Sequence, residues 1–126
     1  MNHFALGLTV LLAVASIAIG AGYLAAPVGM TRSFGLPLPE AGVNTSWWLR
    51  LKGVRDTASG LLLLTFMVWG TPHDVGLMLL VQTVIPLGDM TLVLAAKGST
   101  RSALAIHFST AVVMACTAFT LLLGGH

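Results

Sequence analysis

The chain has 126 residues, 56% of them hydrophobic and 8% charged, whereas about a quarter of the residues in a soluble domain are charged. That composition excludes an ordinary water-soluble domain, and a formal charge of +2 is too small to point to a nucleic-acid partner. One cysteine, Cys116, lies in an apolar run and can supply neither an internal disulfide nor a dithiol redox pair. Mean hydropathy is +0.93. The bilayer is the expected partner, and the length suits a single transmembrane domain over residues 1–126.

Four spans are predicted. The first covers about residues 4–26, carries no charge, and ends at Pro27, which cannot continue a helical hydrogen-bond ladder. It has no basic segment at its head and reads as a retained helix, with a cleaved signal as the alternative. The second follows the capping oxygens of Asn44, Thr45 and Ser46 and covers about 47–70, polar in its first half and apolar in its second. The third starts at Asp74, a favourable charge at a helix N-terminus, and covers about 74–97, with Gly98 as its stop. The fourth follows Ser99 and Thr100 and covers about 101–123. At ~1.5 Å per residue, each is long enough to cross a hydrocarbon core of about 30 Å.

Only helices and closed barrels satisfy their backbone inside lipid, and the runs show no period-two alternation. The predicted fold is therefore all-α, an integral-membrane four-helix bundle of up-down topology. Small residues at helical spacing, Ser16 with Gly20, Ala18 with Gly22, Gly53 with Gly60 and Ala111 with Ala115, would let helices approach closely. Arg32, Arg50, Lys52, Lys97 and Arg101 fall in or beside the first-to-second and third-to-fourth connections, which such a bundle places on one side. The positive-inside rule then puts both termini outside the cytoplasm, with the plasma membrane as the expected location. Trp47 and Trp48 fit as interfacial anchors on the second span. The segment from Met30 to Ser46 reads either as a loop or as an interfacial lid.

Ionisable residues inside spans are costly and by default mark a functional site. Arg55 and Asp56 lie about 12 to 14 Å along the second helix, Asp89 lies about as far from the cytoplasmic end of the third, and His107 is ~9 Å into the fourth. Tyr23, late in the first helix, reaches the same layer. In the third span Pro86 lacks the amide hydrogen that would bond the Gln82 carbonyl, so a kink or opened turn is expected there. Gln82 and Asp89 are seven apart, two turns along one face. Lys52, Asp56 and Ser59 share a stripe of the second helix, and Lys52 with Asp56 also fits a simple helix-surface pair. Competing accounts are a structural ion pair for Arg55 with Asp56 or Asp89, an interhelical hydrogen bond for His107, and an interfacial aromatic for Tyr23. No metal-ligand cluster is evident, and no metal or cofactor is expected.

A first helix ending in proline, then Phe34-Gly35-Leu36, then G-V-R-D-x-x-x-G from Gly53 to Gly60, and Gly88-Asp89 late in the third span form a pattern. This resembles the small four-helix membrane proteins of domain-of-unknown-function family 4267, with DoxX-like membrane proteins as more distant relatives of the same size. The resemblance covers nearly the whole chain and supports the fold and the focus on Arg55, Asp56 and Asp89.

Two classes of function are open. In the first the protein is an acid/base enzyme acting on a lipophilic small molecule, by epoxide hydrolysis, isomerisation or cyclisation of a terpenoid, polyketide or steroid-like substrate. Two carboxylates in a poorly solvated site do not both stay ionised, so Asp56 and Asp89 divide the roles of acid and base. Arg55 orients a carboxylate and His107 shuttles a proton, while Tyr23, Gln82, Trp48 and Ser59 bind substrate. The Asp-Arg-Asp set is similar to that of limonene-type epoxide hydrolases, a likeness of site on another fold. In the second class the protein is a small transporter, a hydrophobic-ligand binder or an accessory subunit. The first span lacks the acidic residue on which small multidrug transporters depend. A homodimer is compatible with either class.

Overall fold

A computed structural model describes residues 2–124, and among those residues it is built of helices joined by turns and the non-helical stretch 35–42, with no strand. Helix α1 covers His3–Ala25, α2 Pro27–Phe34, α3 Val43–Trp69, α4 Pro72–Gln82 and α5 Val84–Ala95. Then α6, Thr100–Ser102, leads through a π-helical stretch, Ala103–Phe108, into α7, Ser109–Leu123. Three stretches are long and apolar enough to cross a membrane: His3–Ala25, Pro72–Ala95 and Thr100–Leu123. The 27-residue α3 is not among them, because Arg50, Lys52, Arg55 and Asp56 crowd its first half.

Several boundaries differ from the sequence expectation for physical reasons. Pro27 follows the end of α1 but also opens α2, since a proline at the first helical position gives up only an amide hydrogen that has no acceptor there. The segment expected to be loop or lid is thus helical as far as Phe34 and stops at Gly35, whose φ of 103° favours glycine. Asn44, Thr45 and Ser46 lie inside the first turn of α3, and Gly42 occupies the cap position without a side-chain bond. At α4 the cap is Thr71, not Asp74. The Thr71 hydroxyl accepts from the Asp74 amide at 3.2 Å, and the Asp74 carboxylate accepts from the Thr71 amide at 2.8 Å, a reciprocal capping box. The opened turn expected near Pro86 is present as the break at Thr83 between α4 and α5.

Helices α1 and α3 pack antiparallel through small residues. Ser16 Oγ donates to the Asp56 carbonyl at 2.7 Å. A Cβ on Gly60 would lie 2.5 Å from the Ala13 carbonyl oxygen, and one on Gly53 would lie 2.8 Å from that of Gly20. Of the small pairs named from sequence, Ser16 with Gly20 and Gly53 with Gly60 form this seam, whereas Gly22 faces Met30 of α2. Helices α4 and α7 pack through Gly76 against Ala118 and Leu121. A compact core of Ala5, Ala13, Leu63, Val75, Leu79 and Leu121 fills one end of the molecule. At the other end the helices stand apart around a cavity, and Leu63 and Met114 form the boundary between core and cavity.

Candidate functional site

The cavity has a volume of about 280 Å³, and every helix except the short α6 contributes to its wall. Its apolar lining includes Leu12, Ile19, Leu63, Ile85 and Met114. Its polar lining gathers Tyr23 from α1, Lys52, Asp56 and Ser59 from α3, Gln82 and Asp89 from α4 and α5, and His107 from the π-helical stretch. Of the residues selected from sequence, Asp56, Asp89, His107, Tyr23, Gln82 and Ser59 line this one space. Arg55 and Trp48 are exposed and do not.

Helical geometry accounts for the exclusion of Arg55. Neighbours in a helix point about 100° apart, so Arg55 and Asp56 do not face one interior together. The partner of Asp56 is Lys52, one turn earlier, with Nζ 2.7 Å from Oδ2 and side chains 28% and 14% exposed. The Lys52 ammonium also lies 5.1 Å from the centroids of both the Tyr23 and Phe34 rings, within range of a cation–π attraction. Alanine at Arg55 is expected to change thermal stability by no more than about 0.5 kcal/mol, as measured by unfolding in detergent.

His107 connects three elements. Its Nε2 lies 2.8 Å from the carbonyl oxygen of Phe34, an acceptor only, so Nε2 carries the hydrogen. Its Nδ1 is turned toward Asp89, 4.0 Å from Oδ2. Its ring lies 4.6 Å from that of Phe34, tilted by 56°. With Nε2 committed as donor, Nδ1 faces the Asp89 carboxyl group across a gap too long for a direct hydrogen bond. The π-helical stretch sets this aim, and such insertions recur at functional sites. Next to the Phe34 contact, the Gly35 carbonyl accepts from the Ser99 amide at 2.7 Å, fixing the end of α2 on the turn before α6.

Gln82 and Ser59 form a second interhelical lock. Ser59 Oγ donates to Gln82 Oε1 at 2.8 Å, and Gln82 Nε2 donates to the Ser59 carbonyl at 3.2 Å. A double-mutant cycle of Ser59→Ala and Gln82→Leu, read by unfolding in bicelles, is expected to show a coupling of about 0.6 kcal/mol, the mean for polar pairs in membranes. Strict additivity of the two substitutions would contradict the lock.

Among the wall residues to which sequence reasoning gave no site role are Lys52, Phe34 and Met30. Lys52 carried a visible signal in its i, i+4 spacing to Asp56. Phe34 and Met30 carried none, because their place on the cavity wall depends on α2 folding back over it.

The profile of a family described as "Domain of unknown function (DUF4267)" matches residues 13–121. The chain belongs to this family. No curated protein and no solved structure matches the chain. The matched region of the DUF4267 family includes every cavity-lining residue except Leu12.

Proposed function

We propose that the protein is an integral-membrane four-helix bundle whose cavity takes up a lipophilic small molecule and converts it by acid/base chemistry. The observation that carries the chemistry is the His107–Asp89 arrangement beside a second, Lys52-paired carboxylate in one largely apolar cavity. Asp89 in its protonated form donates to an epoxide oxygen or to an alkene carbon of the substrate, with His107 resupplying the proton. Asp56, paired with the Lys52 ammonium, takes a proton from water or from a substrate carbon. An oxygen at ordinary hydrogen-bond distance, about 2.8 Å, from both Asp89 Oδ2 and His107 Nδ1 fits their 4.0 Å separation. Epoxide opening, double-bond isomerisation and proton-initiated cyclisation all use these two roles.

Two observations support α3 as the fourth span. Its second half exposes Leu61, Leu62 and Val68, much as α4 and α7 expose Leu77, Val81 and Phe119. Hydroxyls on the long helices, among them Thr9, Thr65, Thr91, Thr117 and Thr120, each donate to the carbonyl four residues earlier. Such bonding spares them an unmet donor in hydrocarbon. The basic residues favour a cytoplasmic face at the α5–α6 turn and both termini outside. In a Cys116→Ser background, a cysteine at Thr71 is expected to react with a membrane-impermeant maleimide applied to intact cells, and one at Ser99 to react only after lysis. The reverse pattern would invert the orientation.

The reaction itself is tested by untargeted mass spectrometry. Membranes holding the protein are incubated with lipophilic epoxides and polyenes, beside Asp56→Asn and Asp89→Asn variants. A product formed by the parent and lost in both variants supports the enzyme. No product, with all three proteins folded and inserted, leaves a binding, transport or structural role in its place.

A further inference from the structure

The size and charge of the cavity narrow its ligand. We infer that it takes a neutral lipophile of about eleven non-hydrogen atoms bearing one oxygen function, in proportion to an apolar cavity of about 150 Å³ that accommodates benzene. This inference rests on the proposed reading of the cavity as a ligand site. On the same scale the ring skeleton of a steroid exceeds this volume, so for a ligand held wholly inside, the small end of the expected substrate range is favoured.

Neutrality follows from the charges on the wall. Lys52 and Asp56 form an ion pair and cancel. Asp89 has its own partner of opposite sign in His107, with Oδ2 and Nδ1 4.0 Å apart. Arg55 does not line the cavity, and Tyr23 donates its hydroxyl to the Met30 carbonyl at 3.4 Å. A carboxylate or an ammonium ligand would introduce a charge with no free counter-charge in a poorly hydrated space, at a large desolvation cost. A ketone, epoxide or alcohol brings no charge. Its oxygen meets the polar wall while its hydrocarbon covers Leu12, Ile19, Leu63, Ile85 and Met114.

The test is binding, not turnover. The purified protein in nanodiscs is unfolded thermally with 2-alkanones of increasing length, each compared at equal membrane concentration, and with carboxylates and amines of matching length. The expected stabilisation peaks near a ligand of about eleven non-hydrogen atoms, and the charged analogues shift the midpoint less. Leu63→Ala and Met114→Ala each remove three side-chain atoms from the wall, and either one moves the peak to ligands longer by about three atoms. Stabilisation that rises steadily with length, or that is greatest for the charged analogues, overturns the inference. Binding at the expected size without any conversion would remove the proposed chemistry and leave the size assignment standing. Conversion of a molecule twice that size would do the opposite.

Discussion

Replacing Asp89 with asparagine lowers turnover by about 10²- to 10⁴-fold, the usual contribution of a positioned acid or base, with little change in KM. Asparagine keeps the shape of the side chain and its place beside His107, so packing of α5 against the π-helical stretch is preserved. What it removes is the acid proton of the proposed chemistry. Its amide keeps a polar group facing Nδ1 without supplying acid. Arg55→Ala in the same assay serves as the contrast, since Arg55 is exposed and outside the cavity. Equal losses in the two variants would contradict the assignment of the acid to Asp89. The measurement is initial rate against substrate concentration, with insertion of each variant verified in the membrane fraction.

Leucine at Gly60 prevents α1 and α3 from pairing. Even the first atom of a side chain there would sit 2.5 Å from the Ala13 carbonyl oxygen and 2.6 Å from Ile17 Cγ1, and the former is backbone that does not rotate away. Overpacking a core with flexible neighbours costs about 1–3 kcal/mol. Against backbone the helices must separate, which also breaks the bond from Ser16 to the Asp56 carbonyl and displaces Asp56 from the cavity wall. The expected result is loss of folded protein in detergent, read by size-exclusion profile and thermal unfolding. Gly7→Leu is the control, because nothing lies within 4 Å of a Cβ at Gly7. A Gly60→Leu protein as stable as the Gly7→Leu protein would contradict the close-packed seam.

How far the sequence revealed this arrangement differed from element to element. The helical class was legible because long apolar runs without alternation leave few other choices in lipid. Asp56, Asp89, His107 and Tyr23 were legible because each is an expense inside a span and counting 1.5 Å per residue placed them at similar depth, whereas Gln82 and Ser59 were reached by helical spacing from Asp89 and Asp56. Which of two adjacent charges faces inward was not legible from depth alone. Arg55 drew notice beside Asp56, yet the i, i+4 rule links Asp56 to Lys52. Helix α2 was hidden by its first residue, since a proline that ends one helix is equally suited to open the next. The π-helical stretch leaves no trace in composition, although it directs His107 at both Phe34 and Asp89.

The most direct test of acid/base conversion in the cavity is the isotopic composition of the product formed in water enriched in deuterium and oxygen-18. Acid/base chemistry predicts solvent-derived label in the product, as carbon-bound deuterium after isomerisation or cyclisation and as oxygen-18 after hydrolysis. It also predicts that labelled product disappears with Asp89→Asn. A product that Asp89→Asn forms as fast as the parent would contradict proton transfer through Asp89.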